Sequence, residues 1–235
     1  MTNATGSVKI LAFDVFGTVV DWHGSIVREV QALGLGVDAN AFALAWRAGY
    51  FPAMDRVRRG ELGWTRIDDL HRMILDAVLV KFGITSLSPE AVADLNRAWH
   101  RLDPWPDTLA GLHRLRARHT LVTLSNGNLG LLANMAKRAR LPWDLILSAE
   151  VFRHYKPDPE TYLGVAQIFD VSPGETMLVA AHKEDLRAAA ACGMRTAFVT
   201  RPMEYGSTKR LDVSPDPAFD HHATDFLDLA SQLDC

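Results

Sequence analysis

The chain has 235 residues, 48% of them hydrophobic and 23% charged, with 25 Lys and Arg set against 28 Asp and Glu for a formal net charge of −3. This composition excludes a disordered chain and a staple-dependent miniature, and the length suits one large domain or one domain carrying an insertion. The near balance of charge excludes a basic footprint for nucleic acid or an anionic membrane, and the short run Arg56, Arg58, Arg59 reads as a solvated helix end.

In chain order, Met1 to Ser7 form a short polar tail, and residues 8–13 are a continuous apolar run of the kind a strand buried on both faces requires. That run stops at Asp14, so neither a signal peptide nor a membrane span is expected. From residue 20 the pattern changes to amphipathic helices, over 26–33, 41–57, 67–82 and 91–102, punctuated by Gly34, Gly36, Gly60, Gly63 and Pro89. Asp103-Pro104-Trp105-Pro106 marks the return, since two prolines continue neither a helix nor a central strand. Apolar runs at 121–124, 145–147, 177–180 and 196–199 then alternate with helical patterns at 109–118, 129–139, 160–169 and 186–191. The expectation is a doubly wound α/β fold with a parallel sheet, built from residues 1–19 and 104–235, and a helical cap inserted at 20–103. The only cysteines, Cys192 and Cys235, provide no disulfide framework and no zinc-ligand spacing, so a reducing, cytoplasmic setting is expected.

Ligands of open parallel sheets bind at the carboxyl ends of the strands, and four polar sets fall at such ends. They are Asp14 to Thr18, Ser125 to Asn128, Lys156 to Asp158, and His182 to Asp185. Each has an ordinary reading by itself. Asp14-Val15-Phe16-Gly17-Thr18 suits a strand end with a turn glycine, Ser125-Asn126-Gly127 a turn, and Asp158 or Asp185 a helix cap. Together, each at a strand terminus and in this order, they form a pattern that chance does not supply.

With these motifs the sequence resembles the haloacid dehalogenase superfamily, in particular its type II branch, the L-2-haloacid dehalogenases. The resemblance runs over nearly the whole chain. It rests on Phe13-Asp14-Val15-Phe16-Gly17-Thr18, Ala45-Trp46-Arg47, Leu124-Ser125-Asn126-Gly127, Tyr155-Lys156-Pro157-Asp158 followed by Tyr162, and Asp185. It implies a Rossmann-like core with Asp14 as nucleophile. In that scheme Asp14 displaces halide from C2 of a short 2-haloacid, and water then hydrolyses the resulting aspartyl ester. Lys156 would keep Asp14 ionised, Thr18 and Ser125 would aim its carboxylate, and Tyr162 would support the lysine. Arg47, with Asn126, would stabilise the departing halide, and backbone N–H groups in the loop after Asp14, near Val15 and Phe16, or at the helix following Ser125 would hold the substrate carboxylate. Trp64 is placed beside the halide. Asp185 would orient the hydrolytic water.

Two positions depart from the pattern. Phosphatases of the superfamily carry an acid two residues after the nucleophile to protonate a leaving alkoxide, whereas Phe16 stands there, and a halide needs no proton. The last motif usually carries Ser and Asn where this chain has Ala180 and His182, so His182 is expected to share the handling of water with Asp185. No metal or other cofactor is expected, although Glu184 and Asp185 are possible oxygen ligands for one, and a metal-dependent phosphatase or another hydrolase of the superfamily is the alternative activity. Phe16, Trp64 and His182 together are expected to make a compact pocket for haloacetates and L-2-halopropionate, with fluoroacetate as an extension. The expected partner is the small substrate alone, and the branch implies a homodimer.

Overall fold

The computed structural model describes residues 7–207 and 209–235. Apart from Ser7, the expected polar tail lies outside those residues. Strands β1 (Ile10–Phe13) and β2 (Val20–Asp21) lead into helices α1 (Trp22–Ala32), α2 (Ala39–Ala48), α3 (Tyr50–Arg58), α4 (Ile67–Lys81) and α5 (Pro89–Asn96). A 3-10 turn at Arg97–His100 and strand β3 (Asp103–Pro104) close this excursion. The chain then runs through α6 (Thr108–Arg116), β4 (Thr120–Ser125), α7 (Leu129–Ala139), β5 (Leu145–Ser148), α8 (Ala149–Phe152) and α9 (Pro159–Ile168). It ends through β6 (Thr176–Ala180), α10 (Lys183–Ala191), β7 (Arg195–Val199), β8 (His221–Ala223) and α11 (Phe226–Gln232).

Six strands form a parallel sheet in the order β5-β4-β1-β6-β7-β8. The central strands β1, β4 and β6 are buried along almost their whole length, as a sheet covered on both faces demands. From β1 the chain builds outward through β4 and β5, then returns to the other side of β1 and builds outward through β6, β7 and β8. The order therefore reverses between β1 and β6, where a crevice opens at the strand ends. Asp14 leaves β1 there, and Ala181 and His182 leave β6 beside it.

The inserted helices sit over that end. The excursion begins and ends in a two-residue antiparallel ladder in which Val20 faces Pro104 and Asp21 faces Asp103. Pro104 is accepted because the ladder is short and at an edge. The expected helix over 41–57 is two helices meeting at Gly49, where an added Cβ would lie 2.5 Å from Ile74 of α4. Asp38 and Ser88 cap α2 and α5 with side-chain acceptors, which accounts for helix starts earlier than the apolar pattern suggests.

Candidate active site

At the carboxyl end of β1 the Asp14 side chain is buried, and each of its oxygens meets a donor. Its Oδ2 accepts from Thr18 Oγ1 at 2.6 Å and faces His182 Nδ1 at 3.1 Å, while Oδ1 accepts from Lys156 Nζ at 2.9 Å. Burial alone would push this carboxyl up, but the Lys156 ammonium and then His182 outweigh it and hold Asp14 well below the usual carboxylate range. Lys156 also donates to Asp185 Oδ2 at 2.5 Å, and Tyr162 donates to Asp185 Oδ1 at 2.6 Å. Burial works against the ammonium, yet Asp14 and Asp185 leave Lys156 more firmly protonated than an ordinary lysine.

Each of these groups is placed by the backbone around it. Thr18 accepts from Ala181 N–H at 2.9 Å, tying the loop after β1 to the end of β6. Asn126, at the end of β4, accepts from Lys156 N–H at 2.8 Å and so fixes the loop that carries the lysine. Asp185 and Tyr162 project from the first turns of α10 and α9, which pack on the same side of the sheet. Arg201, beyond β7, donates to Thr18 O and forms a two-pronged pair with Asp107, bracing the loop from behind.

A cavity of about 880 Å³ opens above Asp14, lined by Phe16, Arg47, Asn126, Lys156, Tyr162 and His182 among others. Arg47 enters from the last turn of α2, with its guanidinium 4.1 Å from the centre of the Tyr50 ring and 5.4 Å from that of Trp22. Its Nε and Nη1 are buried without a hydrogen-bond partner. Although burial opposes the charge, Tyr50, Tyr205 and Glu204 keep the guanidinium firmly protonated. Two unsatisfied N–H groups on a permanent cation beside a cavity make a receptor for an anion.

Five expectations are revised by the structure. Trp64 does not line the cavity; it stacks on Tyr155 at 4.9 Å, under Arg153, because the turn after α3 carries it along the cap-core seam. Ser125 is buried and accepts from Gly127 N–H, so Thr18 is the one of the two hydroxyls that aims Asp14. The cavity as a whole is not compact, since it extends outward past Arg187, Lys209 and Leu211, although Phe16, Tyr50 and His182 crowd its inner end. Val15 contributes no side chain to the cavity and packs in the core. Arg58, read as part of a solvated helix end, instead pairs with Asp158 beside the Lys156 loop.

The site also holds a residue that pattern reading missed. Glu204, wholly buried in the irregular stretch after β7, presents both oxygens to His182 Nε2 at 3.1 and 3.0 Å and accepts from Trp22 Nε1 at 3.0 Å. The signal was its position: Thr200 to Gly206 follow the carboxyl end of a parallel strand, as the four recognised sets do. As for a metal, the two oxygens of Asp185 each take one donor, from Lys156 and from Tyr162, and Glu184 turns outward to Arg187. Among the described residues no group of three His, Cys, Asp or Glu side chains is placed to hold an ion.

Comparison with known proteins places these features in context. The family model described as haloacid dehalogenase-like hydrolase matches residues 8–193. The fold superposes on the crystal structure of an L-2-haloacid dehalogenase with a TM-score of 0.92 at 47% identity, covering 97% of this chain and 100% of that one. A defluorinating L-2-haloacid dehalogenase superposes with a TM-score of 0.94 at 46% identity, covering 97% and 96%. Among curated proteins, (S)-2-haloacid dehalogenase 4A of Burkholderia cepacia is 29% identical over 212 residues, 85% of this chain and 87% of its own length.

Proposed function

Given that this chain belongs to the haloacid dehalogenase-like hydrolases, we propose that it hydrolyses the carbon-halogen bond of short (S)-2-haloacids through an ester on Asp14. The observation that carries this reading is the pairing of a buried, ionised carboxylate with a cation on the opposite wall whose Nε and Nη1 lack hydrogen-bond partners. Asp14 attacks C2, the halide leaves toward Arg47, and the C2–halogen electron pair goes with it. Water then hydrolyses the ester beside Asp185 and Lys156, giving the 2-hydroxy acid. The dehalogenases that superpose on this fold, one of them described as defluorinating, support this reading.

Haloacetates and L-2-halopropionate fit the crowded inner end formed by Phe16, Tyr50 and His182, and fluoroacetate is the smallest member of that series. A phosphatase would need a proton donor for its leaving group where Phe16 stands, and Phe16 is instead packed edge-on against Tyr50, His71 and Trp99. The proposal extends to a cap domain at 20–103, a core at 1–19 and 104–235, a reducing cytoplasmic setting consistent with two free cysteines, and a homodimer drawn from the family resemblance. Among the described residues no helix is long and apolar enough to cross a membrane.

The test is halide release from L- and D-2-chloropropionate, chloroacetate and fluoroacetate in EDTA, with Asp14→Asn as control and a phosphate ester with magnesium in parallel. Release from the L enantiomer and from haloacetates, reduced at least about 10³-fold in Asp14→Asn, is expected. Magnesium-dependent phosphate release without halide would overturn the reading.

A further inference from the structure

His182 stands between two carboxylates. Its Nδ1 faces Asp14 Oδ2 at 3.1 Å, and its Nε2 faces Glu204 at 3.0 Å. Carboxylates accept and do not donate, so both ring nitrogens carry hydrogen and the ring is an imidazolium. Glu204 is buried behind it, does not line the cavity, and so has no route to substrate. Space for that carboxylate is made by Gly17, whose φ is +88° and whose added Cβ would lie 2.4 Å from Glu204 Oε1. A buried acid held by a histidine, a tryptophan N–H and a dedicated glycine is an arrangement whose one outlet toward the cavity is the His182 ring.

The two Asp14 oxygens are unequal. Oδ2 takes two donors, Thr18 and His182, which engage both of its lone pairs, whereas Oδ1 takes Lys156 alone and keeps a lone pair for attack. We infer that Oδ1 is the nucleophile and that His182, held by Glu204 as a positioning residue, forms with Thr18 the oxyanion-holding pair at Oδ2 that drives hydrolysis of the ester. This rests on the dehalogenase reading.

In the second displacement a water oxygen bonds to Asp14 Cγ, the Cγ–Oδ2 π pair moves onto Oδ2, and one water proton passes to the Asp185 carboxylate. On collapse the Cγ–Oδ1 bond breaks with its electron pair going to the product oxygen, which takes up the remaining water-derived proton. Asp14 is regenerated as a carboxylate, and Asp185 releases its proton to solvent. Negative charge grows on Oδ2 only in this step, and preorganised donors aimed at a growing charge are worth about 10² to 10³ in rate. In the first displacement Asp14 loses charge, so the same donors stabilise its starting state and lend that step nothing.

The test separates the two steps with chloroacetate. In Glu204→Gln, halide release in a single turnover is expected to stay within about threefold of the unsubstituted enzyme, while steady-state turnover falls about 10²-fold. Intact-protein mass spectrometry should then show the ester accumulating on Asp14. His182→Asn, which keeps a neutral donor, is expected to show the same split with a fall of about tenfold, and it decides the matter if Glu204→Gln does not fold. A loss of structural integrity alone would slow both steps and trap no ester. Halide formation that falls in parallel with turnover, or no change in either step, would overturn the inference. No halide from the unsubstituted protein would instead overturn the dehalogenase reading, and the inference with it.

Discussion

The two walls of the cavity are built on opposite terms. On the sheet side Asp14, Lys156, Asp185, His182 and Glu204 form one continuous network in which each charge meets its opposite. On the helical side, by contrast, polar groups are buried and left alone. Among the described residues all seven buried side-chain polar atoms without a partner belong to His23, Arg47, His71, Asn96 and Trp99, every one of them between β2 and β3. The sheet wall is thus complete before any ligand arrives, whereas the helical wall keeps Arg47 unsatisfied for an anion to complete. Preorganisation for chemistry lies below and provision for binding lies above.

Breaking a charge on each wall should therefore have opposite effects on stability. Lys156→Met leaves Asp14 and Asp185 without their shared cation, and the loss of one member of a buried network costs about 3 to 5 kcal/mol. At roughly 2 to 4 °C per kcal/mol for a chain of this size, the Tm should fall by about 10 °C, with halide release abolished. Arg47→Met also abolishes most halide release, but it removes two buried unsatisfied donors, so its Tm should stay level or rise. Calorimetry on the two variants side by side checks this. A Tm loss in Arg47→Met as large as that in Lys156→Met would end the distinction between the walls.

The same contrast explains what was legible in the sequence. Five of the six sheet strands announce themselves as apolar runs: β1, β4, β6 and β7 are buried almost throughout, and β5, at one edge, buries its second half. β8, at the edge, carries two half-exposed histidines in three residues and has no such signature. Asp14, Thr18, Lys156, His182 and Asp185 could be placed because strand ends converge at the reversal of strand order, Tyr162 through the family resemblance, and the structure brings all six together. Glu204 escaped because an irregular loop has no periodicity, and its partner Trp22 lies 182 residues away. Trp64 was misplaced for the complementary reason: the turn between α3 and α4 sets its direction, and composition does not record that. The unsatisfied atoms of the helical wall are a property of packing and leave no trace in a one-dimensional pattern.

Acid should expose the helical wall first. His71 is buried against Trp99, with ring centroids 4.3 Å apart, and near Tyr50 and Phe16. Burial lowers its pKa to about 3, despite Asp68 pulling the other way, and Arg47 and His100 add to the lowering. The folded value lies below the unfolded one of 6.5, so this residue's contribution to stability is present above pH 6.5 and is lost as pH falls toward 3. The loss by pH 3 is on the order of 4 kcal/mol. Asp14 and Glu204, whose folded values lie below their unfolded ones of 3.8 and 4.5, lose their contributions only below about pH 4.5, and the raised His182 keeps its proton, so above that pH the sheet wall does not weaken with it. Denaturant titrations from pH 7 to pH 4.5, above the range where the lowered carboxylates contribute, should show a fall that His71→Phe, which keeps the stack, reduces. An unchanged acid slope in that variant would locate the sensitivity elsewhere.

The smallest effect belongs to the seam between the walls. Arg58 of α3 reaches across to Asp158, two residues beyond Lys156, at 2.8 Å, with both side chains partly exposed. Exposed pairs of this kind contribute about 0.2 to 1 kcal/mol, so Arg58→Ala should lower the Tm by no more than about 4 °C. Added salt screens such a pair strongly, and the difference from the unsubstituted protein should shrink as ionic strength rises from 0.05 to about 0.5 M. The kinetic expectation is more specific. Tyr155 Oη also donates across the seam to Thr65 O, and Asn128 to Asp68, so the walls stay registered without the ion pair. KM should rise slightly and kcat should hold, because loosening the seam disturbs how Arg47 meets the substrate while leaving the network around Asp14 intact. A fall in kcat with KM unchanged would mean that the lysine loop depends on the helical wall for its position, and the division between a complete wall and a waiting one would have to be redrawn.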